Sequence, residues 1–320
     1  MEYKTIAYIN KPISRIVFGC ANQAMIEGKR VTKLLDAALD AGINTFDSAE
    51  NYGASEEVLG KWIRKRKCRD KVVIITKGCH PHGMPRVTPE ALRHDFEQSL
   101  QRLKIDYIDI YMLHRDDPGA DIKAILEVLN ELHREGKVGA FGASNWTHER
   151  LDGINRYALG HNLIPFTVSS PNFGPARQIA DPWGGGCGSI SGAEHEEARK
   201  WYQEKQIPVF AYSCLGRGMF SGKVKTSDPE NGKKSLDQFA VKGYWCQENI
   251  ERLASMEKIA QNRSCSVAQV SLAWMMQQEF EVFPIVSISK TERVAENAEA
   301  VKIKLSEAEI RTISERKSGN

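Results

Sequence analysis

The sequence predicts an α/β protein: a closed (β/α)8 barrel of the TIM type with long loops on its substrate side. Three observations carry that reading. Eight short apolar runs alternate with segments of helical period along a chain of 320 residues. Several runs are apolar throughout rather than alternating, as strands buried on both faces of a parallel sheet are. The first run leads into "FGCANQAMIEG", which lacks the GxGxxG turn that an open, doubly wound dinucleotide-binding sheet places there. The composition, 41% hydrophobic and 27% charged, suits one large core. With no linker and no low-complexity tract, residues 1–320 read as a single barrel domain.

The elements follow in order. The runs are "RIVFG" (15–19), "NTFD" (44–47), "VVIIT" (72–76), "IDIYML" (108–113), "GAFGAS" (139–144), "FTVSS" (166–170), "PVFAY" (208–212) and "VFPIV" (282–286). The first helix, 29–41, lines Val31, Leu34, Leu35 and Ala38 on one face, and Gly42 supplies a left-handed cap. Residues 55–66 form the next. The segment 89–103 starts on a capping Thr88 with Pro89 at the first helical position, and Leu92, Phe96, Leu100 and Leu103 make its stripe. Residues 121–135 bury Ile122, Ile125, Leu126, Leu129 and Leu132 and stop at Gly136. Helices over 149–158, 192–205, 249–262 and 267–278 follow, and a last one opens on a capping box, Ser306 with Glu309. Two insertions, 171–191 and 214–247, follow strands and so overhang the end of the barrel where active sites form.

Composition excludes several functions. A net charge of +3 shows none of the basic bias of a nucleic-acid-binding surface. No run approaches the ~18 apolar residues of a membrane span, and "MEYKTIAYINK" has no signal-peptide core. Seven scattered cysteines without a CxxC pair read as reduced thiols in a cytoplasmic protein. Cys79, His80 and His82 lack a second ligand cluster, so no metal is expected. "GRGMFSGK" is not a phosphate-binding P-loop, because Val224 follows Lys223 where Ser or Thr is needed.

Polar residues at the C-terminal ends of barrel strands point into the site. Those ends carry Asp47, Lys77 and His114, with Tyr52 just beyond Asp47. Singly, an Asp reads as a turn residue, a Lys as solvated and a His as structural. On one rim they form a proton donor. Asp47 can pin Lys77, and the Lys77 ammonium favours the phenolate and lowers the pKa of Tyr52 from its ordinary value of about 10. His114 can orient a carbonyl oxygen. A hydride source would complete a reduction, and that requires a cofactor.

The segments "FDSAENYG", "ITK" and "YMLHRDD" resemble the catalytic tetrad region of the aldo-keto reductase superfamily, with Asp47, Tyr52, Lys77 and His114 in its order and spacing. "GKVGAFGASNW", "FAYSCLGRGMFSGK" and "SKTERVAEN" resemble further segments of that family, so the likeness spans nearly the whole chain. It implies a nicotinamide dinucleotide lying across the barrel mouth. Ser144 and Asn145 would hold the carboxamide, and Tyr212 would stack on the nicotinamide. Ser213, Leu215, Gly216 and Gly218 would cradle the pyrophosphate. Arg293, Glu296 and Asn297 would clamp the adenosine, with Ser289 and Lys290 placed for a 2′-phosphate. A guanidinium beside an ammonium favours NADP (NADPH), with NAD possible.

Two positions depart from the family pattern. Ser169 stands where many members carry a carboxamide-supporting glutamine, and Ser287 where many NADPH-preferring members carry a lysine. For the substrate, Asn22, His80, Trp183 and Trp245 (with Tyr244) suit a sugar ring or a flat aromatic carbonyl compound. The expected function is interconversion of an aldehyde, ketone or sugar carbonyl with its alcohol. A sugar dehydrogenase holding NADP tightly and a non-enzymatic regulatory subunit of a membrane protein are the alternatives. Neither substrate nor oligomeric state is written in the sequence.

Overall fold

The computed structural model describes residues 1–314. Its ten strands are β1 (Tyr3–Lys4), β2 (Ile13–Ser14), β3 (Val17–Gly19), β4 (Thr45–Asp47), β5 (Val73–Gly78), β6 (Ile108–Leu113), β7 (Val138–Ser144), β8 (Val168–Ser170), β9 (Val209–Ala211) and β10 (Val282–Val286). The strands β3 to β10 pair in parallel and close into a barrel, with β10 against both β9 and β3. Helices connect the strands, so the eight apolar runs are the eight barrel strands.

Side chains alternate in and out along each strand. The inward set, including Val17, Val73, Ile75, Ile110, Met112, Ala140, Val168, Phe210 and Phe283, fills the barrel. Phe210 and Phe283 stack there with centroids 4.9 Å apart, and each such buried ring is worth about 1.5–3 kcal/mol. The outward set packs against the helices in a second, larger cluster.

The hairpin of β1 and β2 was not foreseen, since two residues per strand show no period. Ile6, Ile9 and Ile13 from this region join the inner cluster and plug the barrel at its N-terminal end. The other end is left for chemistry.

Helix boundaries follow their caps. Helix Pro89–Leu103 starts under Thr88, whose hydroxyl accepts from Ala91 N. The Ser306–Glu309 box forms in both directions, at 2.7 and 3.3 Å. Gly42 and Gly136 take positive φ after their helices. The insertion 214–247 contains two short helices, Pro229–Lys234 and Gln238–Tyr244, each capped by an aspartate, Asp228 and Asp237. Asn172 ties the two insertions together: its Nδ2 donates to Tyr212 O and to Tyr244 Oη, and its Oδ1 accepts from Ser189 Oγ.

Candidate active site

Strand register brings the tetrad together. Asp47 ends β4 and Lys77 lies on the inward face of β5, one residue before its end. His114 directly follows β6, and its N–H donates to Gly78 O of β5. Tyr52 sits on a tight turn after β4, where Tyr52 N donates to Ala49 O and Ser55 N to Tyr52 O. That turn packs closely on the loop after β3. A Cβ on Gly53 would lie 2.6 Å from Ile26 O, and Gly53 has φ +54°, so only glycine fits without strain.

Lys77 Nζ donates to Asp47 Oδ1 at 2.5 Å and to Ser48 O at 2.9 Å. The same nitrogen lies 5.4 Å from the centre of the Tyr52 ring. His114 meets that ring edge-on, 5.5 Å between centroids. Burial by itself would lower the Lys77 pKa, but the charge and hydrogen bond of Asp47, together with Tyr52 and Cys20, outweigh it and hold the ammonium charged.

The phenol departs from the sequence expectation. Burial pushes the Tyr52 pKa above its ordinary value, and the Lys77 ammonium only offsets part of that rise. Desolvation of a phenolate is invisible in a motif, whereas the neighbouring cation is not. Tyr52 is therefore a protonated donor at neutral pH, with a cation beside it that eases loss of the proton. Burial, then the Lys77 and Arg115 charges, drive the His114 pKa well below the usual imidazole range. His114 is thus neutral, and its Nδ1 is buried with no hydrogen-bond partner among the described residues.

The second half of the site is a cleft of about 480 Å³ beside the barrel mouth. Ser213, Leu215, Gly218, Ser289, Lys290, Arg293 and Asn297 line it, seven of the residues singled out from sequence. Gly216 is buried in the same turn, where Ser213, Gly216, Arg217 and Gly218 all take positive φ. Successive backbone turns of this kind aim N–H groups at an anion. Ser287, Ser221, Lys223, Arg217 and Asp237 also line the cleft. Ser221, Arg217 and Asp237 were not singled out in the sequence, and Lys223 was considered there only in rejecting a P-loop. Arg293 NH1 meets the carboxylate of Glu296 at 2.6 Å.

Asn145, at φ +67°, is the junction between the two halves. Its Nδ2 donates to His114 O and Ser144 Oγ, each at 3.0 Å, and its Oδ1 accepts from Tyr212 Oη at 2.7 Å. Ser144 Oγ in turn donates to Ser170 O.

Ser169 is not brought to the mouth. Its hydroxyl bonds Tyr202 Oη at 2.7 Å on the helix side of the sheet, and it is fully buried there. The pleat makes Ser170 the inward residue, and the Ser170 hydroxyl is buried without a partner. Counting alternate positions from Val168 would have separated the two.

The substrate-side residues divide. Asn22 caps helix Gln23–Ile26 through Oδ1, leaving a buried, unpartnered Nδ2. His80 packs edge-on against His114, with centroids 5.1 Å apart. Burial, with Arg115 and His82, lowers the His80 pKa to about 4. Trp183 lies 6.1 Å from the Tyr212 ring, half exposed. Trp245 instead packs against the outer core under Lys233. Tyr244 is fully buried on Asn172 rather than facing the rim. Cys79 points into the outer core, away from His80 and His82.

The sequence profile of the Aldo/keto reductase family matches residues 15–317. The chain is 32% identical over 286 residues to the aldo-keto reductase str7 of Strobilurus tenacellus, covering 88% of this chain and 79% of that protein. It is 33% identical to "Probable aldo-keto reductase 1" of Glycine max, covering 95% and 85%. Aldo-keto reductase yakc of Schizosaccharomyces pombe, whose name carries the qualifier NADP(+), is 27% identical over 96% of this chain and 89% of its own. The chain belongs to the aldo/keto reductase family, and is an oxidoreductase of a class that works with nicotinamide cofactors. No helix among the described residues is long and apolar enough to cross a membrane.

Proposed function

We propose that this protein is an NADPH-dependent carbonyl reductase that interconverts an aldehyde, ketone or sugar carbonyl with its alcohol. One observation carries the reading: the Tyr52 phenol stands between a carboxylate-pinned ammonium and a neutral imidazole. A nicotinamide dinucleotide bound in the cleft would supply or accept the hydride. The donor set fits such a group: a positive-φ turn for the pyrophosphate, and Lys290 and Arg293 for the adenosine end.

The chain's own groups do the rest. His114 donates to the carbonyl oxygen and fixes its orientation, while Tyr52 releases its proton to that oxygen as negative charge builds. The Lys77 ammonium stabilises the phenolate left behind, and Asp47 keeps Lys77 in place. In the oxidation direction Tyr52 acts as the base. Such positioned proton transfer contributes about 10²–10⁴-fold. Ser289, Lys290 and Arg293 favour NADPH, since a fork-shaped guanidinium and an ammonium match a 2′-phosphate. Ser287 in place of a lysine leaves NADH as a weaker alternative.

The test is a fluorescence titration with NADPH and NADH, followed by a screen over aldehydes, ketones and sugars. Tighter NADPH binding and reduction of at least one class are expected. Failure to bind either dinucleotide would overturn the proposal.

A further inference from the structure

Several cations near the barrel mouth have carboxylate partners. Lys77 pairs with Asp47, Arg86 with Asp95, Arg102 with Glu50, Arg150 with Asp116 and Arg217 with Asp237. Arg115, the residue after His114, has no carboxylate within 4.0 Å among the described residues. Among the described residues its one side-chain hydrogen bond runs from NH1 to His114 O at 3.2 Å. The backbone is fixed too, because Trp146 Nε1 donates to Arg115 O.

The surroundings of Arg115 are those of a ligand. Its charge acts on Tyr52, His80, His114, Tyr212 and Cys187, which come from five different loops or strand ends. Gly186 approaches Arg115 so closely that an added Cβ would lie 3.6 Å from Cδ. Gly186 closes a run, Gly184–Gly185–Gly186, with φ of +93°, +147° and +76°, and Cβ atoms on the first two would meet nothing within 4 Å. Trp183 leads into that run. Beside Arg115, His80 Nδ1 and His114 Nδ1 are buried and unpartnered. A half-buried guanidinium left without a carboxylate, beside a glycine run with open space around it, is incomplete by itself.

We infer that Arg115 seats an anionic group of the substrate, a carboxylate or a phosphate, while the carbonyl lies against Tyr52 and His114. This rests on the carbonyl-reductase reading and narrows it: the preferred substrate is a short anionic aldehyde or ketone, not a neutral sugar or aromatic aldehyde.

The test compares kcat/KM with NADPH for two pairs, succinic semialdehyde against butanal and glyceraldehyde 3-phosphate against glyceraldehyde. The native enzyme prefers the charged member of at least one pair by about tenfold or more, the scale of a charge-assisted hydrogen bond. The pair that shows the preference identifies carboxylate or phosphate. Arg115→Ala collapses that ratio through KM, Arg115→Lys retains part of it, and added salt reduces it in the native enzyme. A charged-to-neutral ratio at or below one in the native enzyme overturns the inference, as does a ratio that Arg115→Ala leaves intact. Should Arg115→Ala not fold, the native ratio, its salt dependence and Arg115→Lys decide. If the native enzyme reduces the neutral members without preference, only this inference falls. If it reduces none of the four or any other carbonyl, the functional reading falls with it.

Discussion

Lys77 Nζ lies 2.5 Å from Asp47 Oδ1, and both side chains are almost fully buried at the ends of adjacent strands. An exposed pair of this kind would contribute little, but a buried one cannot lose a member cheaply. Lys77→Met should therefore lower unfolding stability by about 3–5 kcal/mol, because Asp47 is left buried and uncompensated. The double variant Asp47→Leu/Lys77→Met should recover much of that loss, although neither should turn over substrate well. Urea denaturation of the three proteins measures it. Equal stability of Lys77→Met and the native protein would mean that the carboxylate is not dependent on the ammonium.

The pH profile follows from which form of each group works. In the proposed mechanism carbonyl reduction uses protonated Tyr52, so the rate should be lost as pH rises through the phenol's pKa. Burial sets that value above the ordinary one of about 10, with Lys77 pulling it back. Reduction should hold a plateau through neutral pH and fall only in the alkaline range. His114 is held neutral far below the usual imidazole range near 6.5, so no histidine limb should appear there. In any residual activity of Lys77→Met the alkaline limb should move higher still, since the cation that favours phenolate is gone. A falling limb near neutrality in the native enzyme would contradict the burial argument.

Cofactor choice should rest on Arg293. Its guanidinium meets Glu296 in the structure and faces the cleft with Lys290 and Ser289. Arg293→Ala should weaken NADPH binding by about tenfold, the loss of a charge-assisted contact, and NADH binding by much less. Fluorescence titration with both dinucleotides reads the difference. Equal losses for the two would remove Arg293 from 2′-phosphate recognition.

Much of the architecture was legible because its signals are local. The eight apolar runs became the eight strands, and Thr88–Pro89 and Ser306–Glu309 marked helix starts to the residue. The convergence of Asp47, Tyr52, Lys77 and His114 was legible for a different reason, as each lies at or just past a strand's C-terminal end. The misses arise where the outcome depends on long-range packing. Ser169 and Ser170 look alike in sequence, and only the pleat decides which one meets Tyr202. Tyr244 reads as a rim aromatic until Asn172, 72 positions away, buries its hydroxyl. The Tyr52 shift reverses direction because desolvation outweighs a neighbouring charge that sequence does show. Arg115 received no reading from the sequence, since the absence of a partner is a three-dimensional fact.

The most direct measurement of the central claim is Tyr52→Phe, followed by NADPH fluorescence titration and single-turnover reduction on the same preparation. The variant should bind NADPH close to the native affinity, because the ring stays between Lys77 and His114, yet lose about 10²-fold or more in the reduction step. A Tyr52→Phe enzyme that reduces carbonyls at the native rate would show that the proton comes from elsewhere.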